Sequence, residues 1–281
     1  MNEAFRREAP SRNPSDLRRS NSDDRARSPE IDEDVTGKEL DRDAARQLGT
    51  LNDVNRTWVA KHLVMAGRLI DIEPQLALEH ALAASRRGGR LALVREAVGL
   101  TAYAAGDYAE ALRELRTYRR ISGDQTHLPV MADCLRGIGK PDKALELADE
   151  PEAQGLSGSS RAELAMVISG AHQDLGNSAA ALSTLEIPEL NINRAYSFSP
   201  RLFGAYAAAL ENVGRSQEAE KWLSRVTVAE RALGTGAFED PEILDFGEEE
   251  PSAELPNVKD LVSEAGSRKR QGLSGDRRRG E

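Results

Sequence analysis

Apolar and small residues recur along this chain with a helical period, and glycines interrupt them at near-constant intervals. Between Asn55 and Ile70, the residues Val59, Leu63, Ala66 and Leu69 fall three or four positions apart, the spacing of one stripe on an amphipathic helix. Farther on, Gly106, Gly139, Gly176 and Gly214 each stand five residues before an alanine: Ala111, Ala144, Ala181 and Ala219. Seven residues before each glycine lies a small residue (Gly99, Ala132, Ser169, Ala207), and one position earlier an apolar one (Val98, Met131, Ile168, Tyr206). This spacing predicts a helix, a turn at glycine and a second helix. Glycine supplies the backbone freedom where the first helix ends, and small side chains let two helix backbones approach closely. An upstream unit carries Ala77 and Leu78, 34 residues before Ala111 and Leu112, with Ile72 where the turn glycine would stand. About five hairpins are therefore expected, and because one hairpin cannot bury its apolar stripe alone, they must stack.

Helix-start signals support the register independently. Thr36 with Glu39 matches a capping box, and Leu40 and Leu48 predict a short amphipathic helix capping the first hairpin. Asp107 with Glu110 is an acidic cap pair, Pro141 suits a first helical turn, Ser160 with Glu163 reads as another capping box, and Ser199-Pro200 starts a further helix. The stretches Pro151 to Ser159 and Pro188 to Pro200 are read as longer connections, which account for alanine spacings of 37 and 38 residues beside one of 33.

The clearest unit, Val98-Gly99 followed by Gly106-Asp107-Tyr108-Ala109-Glu110-Ala111-Leu112, resembles the tetratricopeptide repeat, a helix-turn-helix unit of about 34 residues. The likeness covers roughly residues 55 to 232. It departs from the family where the aromatic early in the first helix survives only as Phe203, its counterparts being Arg95, Leu128 and Ala165, and where His172 takes an otherwise apolar position. The resemblance implies an all-α solenoid and no particular function. With arginine outnumbering lysine 31 to 7 and an alanine-rich core between charged tails, the chain also resembles tetratricopeptide proteins of actinobacteria.

Composition sets the outer limits of that core. Nine of the twelve aromatics lie between Trp58 and Trp222. Residues 1 to 35 combine serines, prolines and seven arginines with few large apolar groups, the composition of a disordered tail. From 236 to 281 the chain turns acidic and then basic: eight acids from Glu239 to Glu254 without an intervening base, then Arg268, Lys269, Arg270 and Arg277 to Arg279. The expected organisation is thus a tail (1–35), a solenoid (36–235) and a second tail (236–281). Within the acidic run, Ile243, Leu244 and Phe246 make Glu242 to Phe246 either a solubilising stretch or a short motif that docks on a partner or on the chain's own groove.

No stretch reaches the ~18 to 20 apolar residues of a membrane span, and no apolar segment follows the N-terminal arginines, so a cytoplasmic protein is expected. His62, His80, His127 and His172 never fall three or four residues apart, and the glycine clusters lack the Gly-Lys-Ser/Thr of a phosphate loop, so neither metal nor cofactor is expected. Cys134, the single cysteine, is expected to pack as an inert thiol. No pair of acids is singled out for acid–base chemistry, and the chain is read as non-enzymatic.

An interaction scaffold is the function these observations favour. In the family, the exposed side of each first helix lines a concave surface. Helical spacing places Glu96, Tyr103, Asp133, Arg136, Glu163, Gln173, Arg201 and Glu211 on or near that side, facing a protein or peptide partner. The alternative is a nucleic-acid-associated protein using Arg18, Arg19, Arg25, Arg27 and Arg277 to Arg279, against which stands the formal net charge of -9.

Overall fold

The computed structural model describes residues 28–235, and every described helix is α-helical with no strand among them. In chain order they are α1 (Arg42–Leu48), α2 (Asp53–Leu69), α3 (Pro74–Gly88), α4 (Ala92–Ala104), α5 (Tyr108–Ser122), α6 (Leu128–Gly137), α7 (Pro141–Ala148), α8 (Pro151–Gln154), α9 (Gly158–Asp174), α10 (Ser178–Thr184), α11 (Ser199–Asn212) and α12 (Ser216–Leu233). Five antiparallel hairpins form from α2/α3, α4/α5, α6/α7, α9/α10 and α11/α12. Successive hairpins then pack through α3 on α4, α5 on α6, α6 and α7 on α9, and α10 on α11, the arrangement of a helical solenoid.

The last four hairpins turn through the same device. Gly106, Gly139, Gly176 and Gly214 take φ of 77°, 73°, 78° and 78°, the left-handed region where a side chain would be strained. After each glycine, the next backbone N–H reaches back to the carbonyl five residues earlier: Asp107 to Ala102, Lys140 to Leu135, Asn177 to His172, and Arg215 to Leu210, at 2.8 to 2.9 Å. This bond satisfies a carbonyl orphaned at the end of the first helix, and it fixes the angle at which the second helix leaves. The first hairpin turns differently, with the N–H groups of Ile72 and Glu73 both donating to Leu69 O.

Tight packing explains the small residues flanking each turn. Ala77, Ala111, Ala144, Ala181 and Ala219 are all fully buried, and a Cβ built on Gly99 would lie 2.7 Å from the Leu115 side chain across the hairpin. Val98, Met131, Ile168 and Tyr206 are likewise buried. One apolar core runs from Ala66 to Ala171 through the first four hairpins, and a second joins α9 and α10 to α11 and α12 around Leu185, Leu202, Leu210 and Trp222.

The N-terminal approach differs from the expected pattern. Glu39 does reach back to the Thr36 N–H at 2.8 Å, but the chain turns at Gly37 (φ 85°), and the helix begins only after Asp41. There the Asp41 carboxylate accepts from the N–H groups of Asp43 and Ala44, so Asp41, not Thr36, is the cap. Leu48 at the end of α1 is buried against Val59, Ala60 and Leu63 of α2. Residues 28–35, placed by composition in the tail, lie along α2: Val35 is fully buried beside Val64 and Met65, and Asp34 accepts from Arg68 at 2.8 Å.

Two further expectations shift. Helix α9 already starts at Gly158, so Ser160 and Glu163 lie inside its first turns and form no capping box. The connection expected from Pro151 to Ser159 contains α8, whose Ala153 is buried in the core. The acids of α5 are also drawn inward. Glu110 and Glu114 are buried, paired with Arg113 and with Arg95 respectively, and burial holds the Glu110 carboxyl above the usual carboxylate range.

Candidate interaction face

The side chains expected on the exposed side of the first helices are joined to one another across hairpins. The Tyr103 hydroxyl (α4) donates to Asp133 Oδ2 (α6) at 2.7 Å, while Arg136 Nη1 donates to Asp133 Oδ1 at 2.9 Å. The same guanidinium extends to α9, with Arg136 Nε donating to Asp174 Oδ2 at 2.8 Å. Three consecutive first helices are thereby stitched by one hydrogen-bonded chain. Farther along, Arg201 (α11) pairs with Glu163 (α9), and near the start Glu96 (α4) meets His127, at the N-terminus of α6, at 2.6 Å.

The two remaining expected residues act within their own hairpins. Gln173 Oε1 accepts weakly from Ser178 Oγ at 3.4 Å, and Glu211 accepts from Ser216 Oγ at 2.7 Å. Each thus links the end of a first helix to the start of its second. All eight expected residues lie on first helices; six enter bonds between hairpins and two within one.

Burial sharpens the central ladder. It pushes the Tyr103 hydroxyl well above the ordinary phenol range, with the Asp133 hydrogen bond and charge adding to the effect. For Arg136, burial opposes the charge, but Asp174 and Asp133 more than compensate and hold the guanidinium more firmly protonated than usual. A surface cleft of about 520 Å³ borders this ladder, lined by Tyr108, Asp133, Arg136, Gly137, Gly139, Pro141 and Asp174. Two glycines make room for it. A Cβ on Gly137 would sit 2.4 Å from the Tyr108 ring, and one on Gly170 would sit 2.5 Å from the Arg136 guanidinium carbon.

Sequence reasoning missed Asp174 and His127 as partners, although a signal exists. Arg136 and Asp174, like Arg201 and Glu163, are opposite charges 38 residues apart, the length of the longest repeat interval. It also missed the pairing of two histidines. His62 on α2 and His80 on α3 are fully buried with their Nδ1 atoms 2.9 Å apart, so one ring donates and the other accepts. Both Nε2 atoms are buried without a hydrogen-bond partner among the described residues. Trp58 packs edge-on against His62 with ring centres 4.5 Å apart, and the Arg87 guanidinium lies 4.2 Å from the Trp58 ring centre.

Cys134 is fully buried on α6, and burial pushes its thiol up to about 12, which keeps it from forming a reactive thiolate near neutrality. Among the described residues no group of three or more His, Cys, Asp or Glu is placed to hold a metal ion, and no helix is long and apolar enough to cross a membrane. The arginine-rich ends and Glu242 to Phe246 lie outside the described residues. No model of a known protein family matches the chain, and no curated protein matches it either.

Proposed function

We propose that this protein is a tetratricopeptide-type scaffold of about five repeats, a cytoplasmic, non-enzymatic adapter that holds a protein or peptide partner on the exposed side of its first helices. The observation that carries this reading is the chain Tyr103–Asp133–Arg136–Asp174, which locks α4, α6 and α9 in fixed relation beside an open cleft. A surface held rigid before binding loses less entropy when it binds. Aromatic residues are frequent interface anchors; Tyr108 lines this cleft, and the Tyr103 ring lies behind it with ring centres 5.8 Å apart. The arginines are already neutralised internally, so a partner engages this face by shape and by its tyrosines rather than by gripping acids.

Site-specific photo-crosslinking tests the reading. A photoreactive residue at Ala104 or Ala208, exposed on first helices, is compared with one at Arg116, Glu146 or Lys221, exposed on second helices. Partners captured from the first-helix positions and lost in Tyr103→Ala with Arg136→Ala support the assignment. Capture confined to the second-helix positions would refute it.

A further inference from the structure

Helix α12, the last of the described helices, carries apolar groups at its surface. Val228 is 50% exposed, and with Ala229 and Ala232 it lines a cleft completed by Phe203 of α11 and Ile192 of the connection before it, about 380 Å³ in volume. Ile192 is also exposed, so the apolar surface continues from the cleft onto its rim.

The charges at this cleft are of one sign. Arg194 and Arg225 line it, both exposed, and among the described residues neither has a carboxylate within ion-pairing distance. Arg136 and Arg201, by contrast, are held by Asp174, Asp133 and Glu163. Two guanidinium groups without a carboxylate, that of Arg194 hydrogen-bonded to Tyr196, stand above an apolar floor and match a ligand that is anionic at its flanks and apolar at its centre. A nucleic acid fits less well, because Glu220 and Glu230 lie on the same helix and only two arginines are offered.

We propose that this cleft binds an acidic peptide segment of a partner protein, with an aromatic or branched apolar side chain seated against Phe203, Val228 and Ala229, and carboxylates on either side meeting Arg194 and Arg225. Arginine and carboxylate can form two parallel hydrogen bonds, which fixes the direction of the peptide as well as adding affinity. The site is separate from the tyrosine ladder on α4, α6 and α9, so a single chain would hold two partner segments or two parts of one.

The test uses the full chain and a labelled ten-residue peptide carrying four carboxylates around one leucine and one phenylalanine, followed by fluorescence anisotropy. Saturable binding is expected, weakened at least tenfold by Arg194→Ala with Arg225→Ala, and separately by Val228→Asp. These side chains are exposed, so circular dichroism and thermal melts should match the parent chain. Tyr103→Ala with Arg136→Ala should leave the peptide's affinity unchanged, which separates this site from the ladder. Failure of the full chain to bind, equal binding of a peptide with lysines replacing the acids, undiminished affinity in the arginine variant, or preferential binding of a single-stranded oligonucleotide would each overturn the proposal.

Discussion

Mild acid should loosen the first hairpin before the others, because its interior holds the His62–His80 pair. Burial is the main reason that the His62 imidazole is held down to about 4 from an ordinary 6.5, with His80, Arg86 and Arg87 adding to the effect. His80 is lowered too, burial outweighing the opposing pull of Asp32. The folded-state value is depressed, so the unfolded hairpin binds the proton more readily. Stability is therefore intact above pH 6.5 and is lost as pH falls toward 4. For His62 alone, lowering the pH to 5 favours the open state about 30-fold, or roughly 2 kcal/mol. Glu110 acts with the opposite sign, since its raised value adds stability as pH falls, but it lies on α5 in the next hairpin. The depressed carboxylates of Asp41 and Glu39 lose their contribution only below the ordinary carboxylate range. Hydrogen exchange resolves these local effects in a repeat array, where opening need not be global. Peptides covering residues 53–88 should lose about 20-fold protection between pH 7 and pH 5, after correction for intrinsic exchange, while α6 changes little. A His62→Leu, His80→Leu chain should show no such slope. The same slope in that variant would refute the role assigned to the pair.

Other perturbations probe the packing and the ladder. Ala144→Phe inserts a ring where no space is left and should lower stability by ~1 to 3 kcal/mol, read from urea unfolding; an unchanged midpoint would remove Ala144 from the inter-helix contact. Gly170→Ala should push Arg136 from its place, so that Asp174→Ala, expected to cost under ~1 kcal/mol in the parent chain, costs nothing further in that background. Full additivity in that double-mutant cycle would show that Arg136 accommodates the methyl group. Cys134 should resist iodoacetamide at pH 8 in the folded chain and react promptly in urea, and rapid labelling of the folded chain would contradict its burial.

The fold was legible because its signals are local. A glycine that must take positive φ and the small residues that face each other across its turn lie within about a dozen positions, so Gly106, Gly139, Gly176 and Gly214 announce themselves without knowledge of the neighbours. Helix starts were read less well, since several residue types can cap and geometry chooses among them. At Thr36 the chain bends at Gly37 close against Ala60, which leaves Asp41 as the first cap that can point along α1. The register of residues 28–35 was invisible for a different reason. Val35 and Ile31 are isolated apolar residues in a charged stretch, and only the groove beside Val64 and Met65 gives them somewhere to pack.

Pairs across a turn obey a rule that the sequence could have supplied. His62 and His80 stand nine residues on either side of Asp71, at the turn between α2 and α3, and in an antiparallel hairpin residues equidistant from the turn come opposite each other. A search limited to three- and four-residue spacing finds ligands on one helix and overlooks partners on two. The candidate interaction face poses a harder problem, because its contacts join different hairpins. Tyr103 and Asp133 are 30 residues apart, whereas Arg136 and Asp174, and Glu163 and Arg201, are 38 apart. The interval changes because α8 and the connection before α11 add residues between hairpins without adding a repeat. A fixed period therefore identifies the correct helices and misassigns the partners. That error bears on recognition: read singly, Arg136 and Arg201 are available cations, but in the folded chain each already holds a carboxylate from the neighbouring hairpin, and an acidic ligand would have to displace it. Exchange of one such pair for another yields little net energy in water. Charge on this face therefore ties neighbouring hairpins together, and on the proposed reading selectivity for a partner rests on the half-buried rings of Tyr103 and Tyr108 and the cleft that Tyr108 lines.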